Sequence, residues 1–499
     1  MVNAFVNCFK IPELRQRLIF TLALLVIVRL GAAIPCPGIN PAVLAEYFKS
    51  IVDQGGQGDL IGMVNLFSGG ALENCAIFSL TIMPYISASI IMQLAVGVIP
   101  SLAKMAREEG GRQKVSQYTR IGTLILCVIQ GYLLAVSFED PSRIQLLSGI
   151  DQVIAKMGPL VADPGWFFRF TTVVTLTAGT MLLMWLGEQI TDKGIGNGIS
   201  LVITVGIIAR LPAALATMWG KINAPAGQAA MSPLVVVLLL AFLFLVIAGT
   251  VMITQAMRKV PVQYARQVRG NKVYGGQSSF LPLKVNYSGV MPIIFASSIL
   301  TFPSVFISLM FPHNPTANHI AQMIGGHGFL HQALYGAMIF FFSYFWVAMV
   351  FNPTQIADDM KKHGGFIPGV RPGAPTSQFL DFSMTRLTFA GAIFLTVLAV
   401  LPSLISGAMN VPWVTASFFG GTSLLILVGV MLDTMRQMET YLLQRHYDGF
   451  LKKGKLRGRS FGGQGAAGEA LSEKKMFWLL FIVGVIFIGG VVASLILHR

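Results

Sequence analysis

The chain has 499 residues, of which 54% are hydrophobic and only 11% are charged. Soluble globular proteins carry about 25% charged residues, so this composition excludes that class and indicates an integral membrane protein. The formal net charge of +15 would suit a nucleic-acid-binding protein, but most basic residues lie between apolar segments, where they report orientation in a membrane.

Apolar segments long enough to approach or reach a membrane span, roughly 20 residues of helix, recur along the whole chain. The alternating hydrophobicity of an outer-membrane barrel is absent, so we expect an all-α polytopic fold. The eleven segments are centred on residues 18–34, 77–99, 118–137, 171–187, 199–218, 232–253, 289–311, 332–351, 387–405, 414–432 and 477–497.

The first segment, 18–34, follows a basic N-terminus and is similar to a signal peptide. We interpret it as the first span, because only then do the basic loops that follow it fall on the cytosolic side. With residues 1–17 in the cytosol, 28 of the 36 Lys and Arg fall on the cytosolic side. This positive-inside asymmetry predicts a cytosolic N-terminus and cytosolic positions for the loops 254–288 and 352–386 and for the tail and linker 436–476.

A short apolar piece, Asn65-Leu66-Phe67-Ser68-Gly69-Gly70-Ala71, precedes the second span and is too short to cross a bilayer. Because it is flanked by Gly, it could fold back into the protein interior, where irregular backbone is tolerated if it is buried or lines a cavity. An ordinary interfacial loop fits the sequence equally well.

Two sequences are repeated within separate apolar segments. Met83–Ile91 and Met291–Ile299 are identical at six of nine positions, and Gly198–Ile203 matches Gly421–Ile426 at four of six. These repeats lie in the second and seventh spans and in the fifth and tenth spans. The repeating unit is therefore five helices, and an odd number of spans inverts the second unit relative to the first.

The predicted architecture is thus two inverted five-helix halves, residues 18–218 and 219–435. A polar, Gly-rich linker, Gly458–Gly465, separates them from the additional C-terminal span 477–497. Proteins built from two related halves usually place their working site at the interface between the halves.

Isoleucines occupy equivalent positions in both repeats, and two more lie one helical turn from them. If the four segments face a common axis, these side chains form an apolar collar that excludes water and ions. For each isoleucine taken alone, a lipid-facing position is the alternative. The predicted collar consists of Ile82, Ile86, Ile203, Ile207, Ile294 and Ile426.

Small side chains at Ser87–Ser89 and Ala296–Ser298 allow the second and seventh spans to approach closely. A seam of this kind is able to open sideways, although small residues are also ordinary packing residues.

Other chemistry is poorly represented in the sequence. A secondary transporter would need a polar or charged mid-membrane site, whereas the repeats supply isoleucines. An intramembrane enzyme would need paired catalytic residues, which we do not find in the sequence. His327 and His331 are one helical turn apart but lack accompanying carboxylates, so we predict no metal and no cofactor. A disulfide framework is not expected either, since the cysteines fall on different sides or within spans. They are Cys8, Cys36, Cys75 and Cys127.

The two longer cytosolic loops concentrate basic residues, which suits either a docking surface or a topology signal that also contacts anionic lipid. These residues are Arg258, Lys259, Arg266, Arg269, Lys272, Lys284, Lys361, Lys362, Arg371 and Arg386.

Several short motifs together are specific to one family. They are Asn65–Leu72, Met83–Ser89, Gly187–Thr191 with Gly194–Gly198, Leu281–Asn286, Phe351–Pro353 and Pro368–Gly373. Over about residues 10 to 460, the chain resembles the SecY family, the channel subunits of the bacterial Sec protein translocase.

The resemblance implies a protein-conducting channel that translocates unfolded secretory proteins and releases transmembrane segments sideways into the bacterial cytoplasmic membrane. The six isoleucines match the family's pore ring. The piece Asn65–Ala71, within a plug of about 62–74, matches the segment that blocks the pore at rest. The seam between 77–99 and 289–311 matches the lateral gate, with Ser87, Gln93, Gln130, Asn286, Ser298 and Phe302 along it.

The resemblance also implies partners. These are small SecE-type and SecG-type membrane subunits, a SecA-type ATPase, the ribosome, polypeptides that carry a signal sequence, and anionic lipids. The chain itself supplies no energy, so it is not expected to be an enzyme. The family's docking positions correspond here to Arg258, Lys259, Arg266, Arg269, Lys361, Lys362 and Arg371. Family members usually end after ten helices, so the span 477–497 is a departure.

Overall fold

The computed structural model describes residues 11–53, 65, 68–141, 150–222, 233–264, 267–269, 272–274, 278–311, 314–325, 328–409 and 422–452. Most of these residues are helical. The predicted span 477–497, the linker Gly458–Gly465, and Leu66 and Phe67 of the predicted plug lie outside the described residues.

In the described part of the first half, every helix or strand longer than an isolated bridge is a helix. Its helices are α1 (Pro12–Gly31), α2 (Pro41–Asp53), α3 (Met83–Val98), α4 (Pro100–Arg107), α5 (Gly111–Glu139), α6 (Asp151–Met157), α7 (Trp166–Lys193) and α8 (Gly198–Ile222).

The second half contains helices and strands. In order they are α9 (Pro233–Gln255), β1 (Met257–Tyr264), β2 (Gln267–Arg269), β3 (Lys272–Tyr274), β4 (Ser278–Lys284), α10 (Met291–Met310), α11 (Pro315–Gly325), α12 (Phe329–Val350), α13 (Pro353–Lys362), β5 (Gly365–Phe366), α14 (Ala374–Met409) and α15 (Thr422–Lys452).

Six helices within the described residues are long and apolar enough to cross a membrane: α5, α7, α8, α9, α12 and α14. The bent pair α3 and α4 adds one further candidate. Helices α1, α3, α10 and α15 overlap the other predicted core segments, 18–34, 77–99, 289–311 and 414–432. The chain is a multi-pass membrane protein.

The second predicted segment is shorter as a helix than its apolar run. Ile77 to Ile82 form turns, and Thr81 has a φ of 57°, which cannot belong to a helix. Pro84 lies in the first helical turn of α3, where its missing N–H is not needed. The axis bends by 104° between α3 and α4, where Pro100 follows Ile99.

The prediction of a purely helical fold was wrong for the loops 254–288 and 352–386. Strand β1 pairs antiparallel with β4, with Val260 opposite Leu281, and with β5, with Gln263 opposite Phe366. A separate hairpin joins β2 and β3. Along β1, Val260 and Val262 are buried between exposed neighbours, which is the alternation that a half-buried strand requires.

Two helices extend beyond the apolar segments that predicted them. Helix α14 begins at Ala374, inside the predicted loop 352–386, and α15 continues to Lys452, inside the predicted tail 436–476. Hydropathy marks only the apolar part of a helix, whereas the helix itself extends to the nearest breaker. For α14 that breaker is Pro372-Gly373, directly before its first residue.

The largest hydrophobic core forms where the repeated segments meet. Helix α3 contacts α10, and α8 contacts α15, so each repeat packs against its own counterpart. A second core packs α2 and α6 against residues of α5 and α7. The interface between the two sequence repeats is therefore the centre of the molecule, as expected for a site built from related halves.

Candidate channel pore

The six predicted ring isoleucines come together in the structure. Each is at most 7% exposed, and all six belong to one hydrophobic cluster. Ile82 and Ile86 come from the start of α3, Ile294 from α10, and the others from α8 and α15. Their shared burial argues against the lipid-facing alternative.

A small cavity of about 50 Å³ lies against these isoleucines. Its lining includes Ile82, Ile86, Ile203, Ile294, Ile426, Ser68, Arg29 and Phe78. A cavity of this size holds at most a few water molecules, and its largely apolar wall gives them few hydrogen-bond partners. The ring isoleucines therefore border a small and largely apolar cavity.

The described residues of the predicted plug segment lie inside the protein and not at its surface. Asn65, Ser68 and Ala71 are buried, and Ser68 lines the cavity that the ring isoleucines border. Asn65 organises the segment: its backbone oxygen accepts from Ser68 Oγ at 2.9 Å and from Gly70 N at 3.2 Å. Burial with internal hydrogen bonds is what irregular backbone inside a membrane protein requires.

Two glycines allow the segment to press against α8. Gly69 and Gly70 have φ values of 62° and 91°, which favour glycine. A Cβ added to Gly69 would lie 2.6 Å from the Cα of Gly206. The backbones of the plug segment and of α8 are thus in direct contact, and a larger residue at Gly69 would push them apart.

Charged side chains hold the same segment. Arg29 Nη1 donates a hydrogen bond to the Gly69 carbonyl oxygen at 2.6 Å, and Arg210 Nη2 donates to Glu73 Oε2 at 2.5 Å. Asn65 Nδ2 also donates to Glu73 Oε2, at 3.3 Å. We call Arg29, Gly69, Glu73 and Arg210 the polar latch.

Sequence reasoning missed the polar latch because it emphasised how few charges the spans carry. Arg29 lies in the predicted span 18–34 and Arg210 in 199–218. An ionisable residue inside a span usually marks a functional contact, so these two arginines were the available signal. Their partners could not be predicted from the sequence, since Gly69 lies 40 residues from Arg29 and Glu73 lies 137 residues from Arg210.

The seam between α3 and α10 is apolar and closely packed at the predicted gate. Ser87 is 9% exposed and Ser298 is 1% exposed. Ser298 Oγ lies 4.0 Å from Met83 Sδ across the seam, while it donates to the Ile294 carbonyl oxygen of its own helix. The described contacts across the seam are therefore packing contacts and this long hydrogen bond from Ser298 Oγ to Met83 Sδ.

The other predicted gate residues make local contacts. Gln93 Nε2 donates to Ser89 Oγ at 3.0 Å within α3. Asn286 Nδ2 donates to the Gly289 carbonyl oxygen at 3.1 Å. Gln130 is half-buried on α5. Phe302 belongs to α10, but its side chain lies outside the described part of the chain.

The strands join the two basic loops into one body. Because β1 pairs with β5, the loop 254–288 is fastened to the loop 352–386. Below them, a hydrophobic cluster that includes Val260, Leu283 and Ile367 fixes the strands to α12 and α14. We call the surface carried by these strands and by α13 the basic platform.

Most predicted docking residues lie on the basic platform. Arg258, Lys259, Lys361, Lys362 and Arg371 are exposed. Lys259 Nζ lies 5.1 Å from the centre of the Phe280 ring, and Lys362 Nζ lies 3.8 Å from Asp359 Oδ1. The Arg371 carbonyl oxygen accepts from Thr376 Oγ1 at 2.8 Å, which fixes its backbone. Arg269 belongs to β2, and Arg266 lies outside the described residues.

Across the described ranges, no group of three or more His, Cys, Asp or Glu is arranged to hold a metal ion. His331 lies on α12 and stacks on Tyr335 with ring centres 5.9 Å apart. His327 lies outside the described residues.

A family model described as SecY matches residues 76–435, which is most of the chain. The chain belongs to the SecY family. The protein translocase subunit SecY of Thermotoga maritima is 43% identical over 465 residues, which cover 92% of this chain and 100% of that protein. The family resemblance seen in the sequence is therefore confirmed.

Solved structures share the fold of this chain. A structure described as a protein conducting channel matches with a TM-score of 0.59 at 16% identity, covering 89% of this chain and 94% of that chain. Sec61 in the canine ribosome-channel complex from the endoplasmic reticulum matches with a TM-score of 0.55 at 17% identity, with the same coverage.

Proposed function

We propose that the chain conducts unfolded polypeptides across the membrane through the isoleucine ring and passes transmembrane segments sideways into the lipid. The ring carries this proposal, because four helices from two sequence repeats converge on it and supply only apolar side chains. Such a ring closes against water without binding any particular sequence, which suits a passage for many different polypeptides.

The proposed architecture has ten core spans in two inverted halves, 18–218 and 219–435, with the N-terminus in the cytosol of a bacterium and the spans in its cytoplasmic membrane. Three observations support it. Helices overlap every predicted core segment, the repeated segments pack as pairs, and the basic platform gathers the charges that the positive-inside rule assigns to the cytosol.

In this scheme the plug segment Asn65–Ala71 closes the pore at rest. Its burial against the cavity and the polar latch support that role. Opening requires the segment to leave α8, which breaks the Arg29 and Arg210 hydrogen bonds but no covalent bond. A polypeptide entering the ring displaces the segment and replaces it as the seal.

The seam between α3 and α10 is the proposed lateral gate. Its contacts are apolar and small, so parting the helices breaks no ion pair between them. An apolar segment in the pore gains free energy when it moves into lipid, whereas a polar segment loses free energy there. The gate thereby sorts transmembrane segments from secreted chain.

The basic platform is the proposed docking surface for a SecA-type ATPase or the ribosome, which supply the driving force. The structurally similar Sec61 was solved in a ribosome-channel complex, which supports ribosome binding. Small SecE-type and SecG-type membrane subunits complete the proposed assembly, and anionic lipids contact the remaining basic residues.

The test is ATP-driven import of a precursor with a signal sequence into vesicles that hold the chain with its SecE-type and SecA-type partners. Protease protection of the precursor is the measurement. Charge reversal at Arg371, Arg371→Glu, should reduce protection at least about tenfold, which corresponds to a loss of about 1.4 kcal/mol, because the exposed guanidinium can no longer meet an acidic partner surface.

Lys156→Glu is the matched control, since Lys156 is also exposed but lies on α6, on the opposite face in the proposed topology. It should leave protection unchanged. Full protection with the Arg371 variant would remove the docking assignment. Absence of protection with the unaltered chain, despite bound partners, would contradict the proposed function.

A further inference from the structure

Two cysteines, Cys36 and Cys75, lie opposite each other directly after the predicted plug of about 62–74. Cys36 follows α1, and Cys75 precedes α3. Pro35 and Ala76 form an antiparallel bridge, and Cys36 N donates to the Cys75 carbonyl oxygen at 2.8 Å. Ile77 N donates to the Ile34 carbonyl oxygen at 3.0 Å on the other side of the bridge. The two cysteines are therefore directly opposite residues of a short antiparallel pair.

This placement suits a covalent bond between the two side chains. Opposite residues in an antiparallel pair have Cα atoms about 4.5 to 5.5 Å apart. Here one hydrogen bond joins the two residues, since Cys75 N donates to the Leu72 carbonyl oxygen. Disulfides bridge Cα separations of about 4.4 to 6.8 Å. Cys36 is 3% exposed and Cys75 is 0% exposed, and both belong to the same hydrophobic cluster. Both thiols are free in the structure, and both lie in this dry, closely packed site.

Cys75 has a further distinguishing feature, a φ of 45°. Residues with a Cβ rarely adopt this left-handed conformation, which persists only when the surrounding structure holds it. Here the hydrogen bond from Cys36 N and the packing around both side chains supply that restraint. A cysteine is thus kept at a position whose backbone favours glycine.

We propose that Cys36 and Cys75 form a disulfide that ties the C-terminal end of the plug segment to the chain after α1. The proposal rests on the topology in the proposed function, which puts both residues on the outer, oxidising side of the membrane.

The chemistry is a thiol–disulfide exchange with a protein disulfide of that compartment. One thiolate attacks the donor disulfide, and the second thiolate attacks the mixed disulfide. An S–S bond forms between Cys36 and Cys75, and the donor receives two electrons and leaves as a dithiol with the two protons.

Burial determines when this exchange takes place. It raises the pKa of the Cys36 thiol to about 12 and also raises the pKa of Cys75, so the folded thiols are not ionised at neutral pH. The exchange therefore belongs to the stage before α2 and α6 pack over the site. Once packed, the same burial protects the disulfide from reductants.

The disulfide would limit how the plug moves. Residues on the N-terminal side of Cys75, including Gly69 and Glu73, remain free to leave the polar latch. The base at Cys75 stays attached to Cys36, so the displaced segment returns to the same position. The latch is then the reversible contact, and the disulfide is the fixed anchor.

The experiment uses membranes that contain the full chain, collected and then denatured in N-ethylmaleimide so that buried free thiols are blocked as they become exposed. After denaturation and digestion without reductant, mass spectrometry should find peptides containing Cys36 and Cys75 joined and lighter by two hydrogen atoms than their sum. Reductant should separate them. Recovery of both cysteines as maleimide adducts in the unreduced digest would overturn the proposal.

Three variants assign the bond. Cys36→Ala and Cys75→Ala should each abolish the joined peptide, while Cys127→Ala, which alters a buried cysteine on α5, should retain it. A joined peptide that persists in Cys36→Ala would also overturn the pairing. A reduced pair in a chain that still imports the precursor rejects only this inference, and a joined pair without import rejects only the proposed function.

Discussion

The isoleucine ring and Arg29 of the polar latch border the same cavity, and the ring and the latch differ in the physics of their contacts. The ring acts through apolar area, which has no preferred direction and depends on how much surface leaves water. The latch acts through two hydrogen bonds of 2.5 and 2.6 Å, which need particular donors and acceptors. A seal built from the first tolerates reshaping, whereas a catch built from the second can be released and restored.

The largest expected effect comes from making the ring polar. Each buried isoleucine contributes about 1.5 to 3 kcal/mol by its burial. Ile86→Asn combined with Ile294→Asn should therefore wet the ring and raise ion conductance of the reconstituted channel at least about tenfold, the equivalent of about 1.4 kcal/mol.

The double leucine variant, Ile86→Leu with Ile294→Leu, is the control for the ring. It keeps the apolar area while changing its shape, so we expect conductance near that of the unaltered channel. A leak in the leucine variant as large as in the asparagine variant would show that shape, and not polarity, makes the seal.

The next effect concerns the contact between plug and α8. Gly69→Ala places a Cβ against the Gly206 backbone and also forces alanine into a left-handed conformation. The conformation alone costs about 1 to 2 kcal/mol, and overpacking adds about 1 to 3 kcal/mol. The plug should seat poorly, and resting conductance should rise.

Gly110→Ala separates the two causes, because Gly110 has a φ of 78° but nothing within 4 Å of an added Cβ. This variant should lower the melting temperature slightly and leave conductance unchanged. Equal conductance for Gly69→Ala and the unaltered chain would mean that the plug does not need this close contact.

A smaller effect is expected from the latch itself. Glu73→Gln removes the charge that Arg210 meets, and hydrogen bonds to charged groups contribute about 1.5 to 3 kcal/mol. We expect a higher resting conductance and import of precursors with weakened signal sequences. Combining it with Arg210→Gln should add less than the sum of the two single effects, because both remove one interaction.

Glu139→Gln is the matched control for the latch, since Glu139 forms an equally short ion pair with Arg169, a pair that includes no residue of the polar latch. It should affect stability without changing conductance. If both glutamine variants leak equally, general destabilisation explains the result and the latch has no special role.

The smallest effect is expected at the gate seam. Ser298→Ala removes a hydroxyl that donates to the Ile294 carbonyl oxygen of its own helix and makes one long contact, 4.0 Å, with Met83 Sδ, so stability should change by no more than about 1.5 kcal/mol. Import should be unchanged. A large loss of import would reveal a contact between Ser298 and the moving polypeptide that packing does not explain.

Much of the fold was predictable because hydropathy is a local property. A helix overlaps each predicted core segment from 18–34 to 414–432. The strands β1 and β5 were missed because each is too short to stand out beside long apolar runs. Their pairing, which joins the loops 254–288 and 352–386, depends on residues about a hundred positions apart, as Gln263 and Phe366 illustrate.

The ring was predictable from the sequence and the latch was not, again because one depends on local sequence and the other on distant residues. Ile86 and Ile294 were found because a repeat places equal residues at equivalent positions, so one sequence comparison predicts a shared location. Arg210 and Glu73 belong to no repeat and lie 137 residues apart. Nothing in their spacing indicates that they meet.

The sequence by itself determined the membrane class, the apolar helices, the internal repeat and the family, since each depends on local composition or on matching motifs. Only the tertiary structure decided that the plug is held by Arg29 and Arg210 and that Cys36 faces Cys75. These contacts form when distant segments pack, and their identity depends on geometry that the folded chain alone supplies.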